Sequence, residues 1–234
     1  MECEKIEIGG IPALLWGPDS GRVMIAVHGS GSSKDDVPIA ILAEEAAPRG
    51  WQVLSFDLPR HGERRERPTL CKARCCVPEL EEVLVFARRR ADELSLWANS
   101  LGAYFSLVAY RDVPLRQALF LSPVVDMERL LQNMMRWSGI SEERLRAEGE
   151  LPTAMGETLY WDDYQYVQAH PVDAWGSPTA VLYGGKDALC ERDRVSAFAE
   201  KFGCRLTVAE GHEHYFHTPE DLAVYRAWLR ENLQ

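Results

Sequence analysis

Short runs that are apolar throughout alternate along this chain with longer stretches that carry an apolar stripe. Val23-Met24-Ile25-Ala26-Val27 is apolar at every position over the length of a strand. That pattern marks a strand covered on both faces, as in a parallel sheet. Trp51–Phe56, Leu94–Ala98, Gln117–Leu121, Thr179–Tyr183 and Arg205–Ala209 read as further strands. Helical segments lie among them: Asp36–Arg49, Glu79–Leu94, Leu101–Arg111, Asp193–Lys201 and Pro219–Leu233. Proline suits the first turn of the last of these. Lys5–Trp16 alternates around Gly9-Gly10 and reads as an antiparallel hairpin at a sheet edge. Regular strand–helix alternation predicts a parallel sheet with right-handed crossovers.

One region breaks the rhythm. Asp126–Trp175 has three helix-like segments, Met127–Trp137, Glu142–Glu148 and Asp162–Ala169, with Gly and Pro interruptions. Its aromatics (Trp137, Tyr160, Trp161, Tyr164, Tyr166, Trp175) and methionines (Met127, Met134, Met135, Met155) either line a pocket or pack the segment onto the core. There is no internal repeat, low-complexity tract or linker, so residues 1–234 read as one domain with an insertion at 126–175.

Composition narrows the classes of function. A chain of 234 residues can bury a sizeable core without disulfides or metal, and 46% apolar with 26% charged residues is usual for a soluble domain. The net charge of −10 argues against nucleic acid or anionic membrane as partner. The N-terminus carries no basic segment followed by an apolar run, which predicts no signal peptide, and no apolar run approaches a membrane span. Six cysteines in that setting read as reduced thiols of a cytoplasmic protein. Cys71, Cys75 and Cys76 lack a matching Cys/His pair at zinc spacing, so no metal is expected, and Cys3, Cys190 and Cys204 read as small apolar fillers.

The chemistry concentrates at loops that follow strands. Ala98-Asn99-Ser100-Leu101-Gly102 has small residues two before and two after a serine, at a junction of strand and helix. Such a corner lifts a hydroxyl above the sheet edge, although the same serine could be an ordinary helix N-cap. A serine needs a base, and the base needs a carboxylate to orient it. In the order Ser…Asp…His, Asp187 in Gly184-Gly-Lys-Asp and His214 in Gly211-His-Glu-His each follow a strand of their own. Asp187 could instead cap a turn, and His214 could be a satisfied or exposed histidine. Gly29–Lys34 is glycine-rich but lacks Gly-Lys-Ser/Thr, so nucleotide binding is not expected.

Taken together, His28-Gly-Ser-Gly31, Asp57-x-Pro-x-His61-Gly62, Ala98-Asn-Ser100-Leu-Gly102, Gly184-Gly-Lys-Asp187 and Gly211-His-Glu-His214 resemble the α/β-hydrolases over essentially the whole chain, in particular small bacterial serine esterases. The resemblance implies an α/β-hydrolase fold, with a mostly parallel central sheet of about eight strands flanked by helices and a small helical lid. It implies Ser100 as nucleophile, His214 as base rather than His212 or His217, and Asp187 as acid, with Asp126 the position some relatives use. The N–H groups of Ser30 and Leu101 would form the oxyanion hole, and Asp57 and His61 would shape the rim. Ala98 departs from the usual first glycine. The expected activity is hydrolysis of a small-molecule acyl ester or thioester without cofactor. A related peptidase or acyltransferase, or a non-catalytic binding protein, would share the fold. No oligomeric state is implied. Within the lid, Trp137 and Trp161 are expected to be pocket walls that set acyl length.

Overall fold

The computed structural model describes residues 2–154 and 156–234. Met155, one of the methionines expected at the pocket, lies outside the described residues. Strands β1 (Cys3–Ile8), β2 (Ile11–Trp16), β3 (Arg22–Val27), β4 (Gln52–Phe56), β5 (Glu93–Asn99), β6 (Ala118–Leu121), β9 (Thr179–Gly184) and β10 (Arg205–Ala209) form one sheet, in the order β1-β2-β4-β3-β5-β6-β9-β10. A separate two-stranded sheet, β7 (Glu150–Pro152) and β8 (Thr158–Tyr160), lies between β6 and β9 in sequence. The β1–β2 and β2–β4 pairings are antiparallel, and the five from β4 onward are parallel. Gly9 and Gly10, both at positive φ, turn the β1–β2 hairpin.

The apolar run of β3 works through the two-residue period of a strand. Val23, Ile25 and Val27 point into one hydrophobic cluster, and Met24 and Ala26 into another. The first cluster takes the apolar faces of α2 (Ala73–Arg88), α3 (Leu101–Ala109) and α7 (Arg192–Phe202), and the second takes those of α1 (Val37–Ala46) and α8 (Pro219–Asn232). Both faces are covered, which is why every residue of that run is fully buried. No helix among the described residues is long and apolar enough to cross a membrane.

Most expected elements form within a few residues of their expected bounds; α2 is the exception. It begins at Ala73, six positions before Glu79, and carries Pro78 inside it. Pro78 removes one backbone bond. The added turn is held from outside instead: Asp163 accepts from the Ala73 N–H at 2.8 Å, and Lys72 and Arg74 pair with Asp162 at 2.8 and 3.0 Å.

The segment between β6 and β9 holds α4 (Met127–Trp137), α5 (Glu142–Glu148) and α6 (Trp161–Ala169), close to the three expected helices. The β7–β8 hairpin was not expected, because three-residue strands give too short a pattern. Met135, Ile140, Leu145, Leu151, Leu159 and Tyr164 give this segment a small core of its own.

Candidate active site

Ser100 sits between the last residue of β5 and the first of α3, at φ 50° and ψ −119°. That left-handed φ is costly for a residue with a Cβ, about 1–3 kcal/mol, and persists only where surroundings enforce it. Here the Ser100 N–H donates to the Leu121 carbonyl at 3.1 Å, and its carbonyl accepts from Ala103 and Val124, each at 3.1 Å. The small residues are needed at this corner. A Cβ on Gly102 would lie 2.5 Å from the Val27 and His28 carbonyl oxygens, and one on Gly29 would lie 2.9 Å from the Ser100 Cβ. Ser100 makes no side-chain capping bond to α3, so it is not an ordinary N-cap. Its Oγ lies 2.9 Å from His214 Nε2.

His214 Nδ1 lies 2.6 Å from Asp187 Oδ2. With Nδ1–H donating to the carboxylate, Nε2 is left to accept the serine proton. The Asp187 side chain is fully buried, and its Oδ1 accepts from the Leu189 and Cys190 N–H groups at 2.8 and 2.9 Å. Gly184-Gly185 brings the two loops together. A Cβ on Gly184 would overlap the Glu213 carbonyl, and one on Gly185 would lie 2.6 Å from the Glu210 Cα. The Gly185 N–H donates to Ala209 and the Lys186 N–H to His212, both at 2.8 Å, so main-chain bonds set the Asp187–His214 approach.

The other candidates are engaged elsewhere. His212 Nδ1 meets Asp221 Oδ1 at 2.5 Å, near the start of α8. His217 Nδ1–H donates to the Tyr215 carbonyl at 2.9 Å. Asp126 is the N-cap of α4, accepting from the Arg129 N–H at 3.0 Å.

Ser30 and Leu101 line one cavity with Ser100 and His214. Leu101 opens α3, where N–H groups lack intrahelical partners. The loop carrying Ser30 is pinned by residues the sequence assigned to shape. The Gly31 N–H donates to His61 Nε2 at 3.1 Å, while His61 Nδ1–H donates to the Pro59 carbonyl at 2.8 Å. Asp57 accepts from the Lys34 N–H at 2.9 Å and pairs with Lys34 Nζ at 2.8 Å, both residues buried. Buried His28 donates from Nδ1 to the Gly29 carbonyl and accepts the Leu58 N–H at Nε2. Burial pushes its imidazole down to about 4, with the Gly29 carbonyl opposing.

The cavity measures about 340 Å³. Met127, Leu130, Leu131 and Met134 of α4 form its apolar wall, with Leu159 and Tyr160 of the hairpin. Trp137 and Trp161 are not among its lining residues. Trp137 is 45% exposed at the end of α4, and Trp161 packs on Tyr164 within the inserted segment. Of the aromatics in the inserted segment, only Tyr160 lines the cavity; Tyr164 fills the segment's small core and Trp175 packs on Phe120. One residue no sequence signal marks is Glu157, whose carboxylate accepts from the Ser30 hydroxyl at 2.8 Å across 127 residues of chain.

Among the described residues, Asp187, Cys190 and His214 place ligand-type atoms within 4.8 Å of one another and could hold a metal. Asp187 and His214 already spend those atoms on each other and on Ser100. Burial also pushes the Cys190 thiol up, away from the thiolate a metal requires.

The chain is similar in fold to Est1E from Butyrivibrio proteoclasticus, solved with ferulic acid, at a TM-score of 0.78 and 19% identity over 98% of this chain and 99% of that one. It is similar also to the alpha/beta hydrolase domain-containing protein 10 from mouse, at a TM-score of 0.77 and 13% identity over 99% and 98% of the two chains. A curated protein of Mycobacterium tuberculosis named "Putative phosphoribosyl transferase" is 24% identical over 95% of this chain, which spans 44% of that protein's length. The model of the Alpha/beta hydrolase family matches residues 24–227, from the third residue of β3 into α8. A match of that extent takes in the serine corner and both loops that meet it, and the chain belongs to the alpha/beta hydrolase family.

Proposed function

We propose that the protein is a serine hydrolase that cleaves a small carboxylic ester or thioester through an acyl-enzyme on Ser100. The observation that carries this reading is the unbroken chain Ser100 Oγ–His214 Nε2, 2.9 Å, and His214 Nδ1–Asp187 Oδ2, 2.6 Å. As Oγ attacks the carbonyl carbon, His214 takes its proton and Asp187 holds the resulting imidazolium. The N–H groups of Ser30 and Leu101 stabilise the oxyanion. His214 then gives the proton to the departing alcohol or thiol, and a water repeats the sequence to release the acid. The apolar wall of α4 favours an acyl group of modest size in the 340 Å³ cavity. The phosphoribosyl transferase in the curated relative's name is not extended to this chain. Among the described residues, the cavity lining includes Glu157 and Asp163 but no lysine or arginine to meet a phosphate.

Turnover of short nitrophenyl esters by wild type and Ser100→Ala tests the proposal. The variant should fold normally and lose several orders of magnitude in kcat, as is usual when such a nucleophile is removed. Retention of near-wild-type turnover would exclude Ser100 as nucleophile.

A further inference from the structure

Three thiols lie where α2 begins, and one of them opens into the catalytic cavity. Cys71 lines that cavity together with Ser30, Ser100 and His214, and is partly exposed. Cys76, in the second turn of α2, is buried with its Sγ 3.8 Å from that of Cys71. Cys75 is rotated about 100° from Cys76 around the helix, so the two cannot face Cys71 together.

We propose that Cys71 and Cys76 form a peroxide-sensitive dithiol in the cavity wall, Cys71 being the sulfur attacked and Cys76 the one that resolves it. Several features make Cys71 the nucleophile. It stands just before the N-terminus of α2, where the helix dipole favours an anion. The Cys76 thiol donating to its sulfur pulls the Cys71 thiol down to about 6 against the opposing effect of burial. Burial pushes Cys76 well up, so it stays a thiol until Cys71 is oxidised. The Cys71 thiolate attacks one oxygen of hydrogen peroxide. The O–O bond breaks, hydroxide leaves and is protonated to water, and Cys71 becomes a sulfenic acid. The Cys76 sulfur then attacks the Cys71 sulfur, and the hydroxyl departs with the Cys76 proton as a second water. Two thiols are oxidised and one peroxide is reduced.

Closing the bond draws the sulfurs from 3.8 Å to about 2.05 Å, so the Cys71 sulfur leaves the cavity wall. It also removes the thiolate beside His61, the ring that accepts the Gly31 N–H and so positions the loop carrying Ser30. Oxidation is therefore read at the oxyanion hole. This last step rests on the hydrolase reading above; the sulfur chemistry does not.

The test treats the reduced 234-residue chain with hydrogen peroxide and maps tryptic peptides by mass, alongside the rate at which a fluorophosphonate labels Ser100. Expected is a peptide carrying Cys71 joined to the one carrying Cys76, with loss of two hydrogens, formed also in Cys75→Ser and reversed by dithiothreitol. In Cys76→Ser, dimedone should trap the Cys71 sulfenic acid instead. Labelling of Ser100 should slow about tenfold on oxidation, a displaced oxyanion donor costing less than a deleted one, and should be indifferent to peroxide in Cys71→Ser. Absence of the link, or its persistence in Cys76→Ser, overturns the dithiol. An unchanged labelling rate in fully linked protein overturns the coupling to the site. Failure of Ser100 to label even when reduced strikes the hydrolase reading instead, and leaves the mapped link to decide the dithiol.

Discussion

His212 and His214 are two residues apart in one loop, yet their partners give them unrelated work. His214 joins Ser100 to Asp187, whereas His212 ties the loop to Asp221. Asp221 also closes the capping box at the start of α8 with Thr218. Burial would raise the Asp221 carboxyl, but the bonds from His212, Thr218 and nearby N–H groups hold it well below the usual range. His214→Ala should therefore lose several orders of magnitude in kcat, while His212→Ala should keep most of it and lose about 1–2 kcal/mol of stability. Parallel ester assays and urea melts would show this; the reverse pattern would exchange the two roles. The serine, histidine and aspartate were legible in sequence because each sits in a short local pattern of glycines after a strand. Glu157 was not, since its contact with Ser30 depends on how the turn between β7 and β8 is placed against a loop 127 residues away. His28 gives a pH signature at the same scale. Its folded pKa, about 4, lies below the ordinary 6.5, so the unfolded chain binds the proton first as pH falls. Its contribution is full above pH 6.5 and is lost on descending to 4, by about 3 kcal/mol. Urea melts across that range should show the decline in wild type and a shallower one in His28→Gln, and equal slopes would contradict it.

Among the elements, α4 supplies most of the apolar wall of the cavity. Met127, Leu130, Leu131 and Met134 recur at helical spacing and face the cavity together. Trp137 lies about 15 Å further along the helix axis than Met127, past the cavity. The sequence therefore showed the helix but not where along it the site lies, and the two tryptophans expected as walls, Trp137 and Trp161, do not line the cavity. Likewise, the helical pattern was read from Glu79, and carboxylates from α6, distant in sequence, hold the start of α2 at Ala73. Leu131→Ala or Met134→Ala should shift the preferred acyl chain to longer homologues, at about 0.8 kcal/mol or fourfold in kcat/KM per methylene accommodated. Acetate esters should be little affected, and Trp137→Ala should leave the whole series unchanged. A uniform loss across acetate to octanoate in the α4 variants would make that helix a support for the fold rather than a reader of the acyl group.

Across the whole molecule, the sheet is held between helical layers whose closing piece is α8. Glu45 of α1 bonds Arg226 and Arg230 of α8, and the Arg230 bond, with burial opposing and Arg226 adding, holds its carboxyl below the usual range. A depressed carboxylate contributes stability above its unfolded pKa and loses it as pH falls through the folded one. Glu45→Gln should therefore cost about 1 kcal/mol at pH 7, the arginines being partly exposed, and progressively less on acidification below pH 4.5. Denaturant midpoints at pH 7 and 3 would measure it, and a penalty that grows with acid would contradict the pairing. At this scale the sequence was most legible, because strand–helix alternation depends on burial of both sheet faces and not on any single contact. Solved structures at 13 and 19% identity share that architecture while most side chains differ. The chemistry must therefore be tested at the serine itself. The most direct measurement is the mass of the folded protein after reaction with a fluorophosphonate, with the adduct located by peptide mapping. A single adduct on Ser100, absent from His214→Ala and from unfolded protein, is the predicted result; no adduct, or one on another residue such as Cys71, would contradict an activated Ser100.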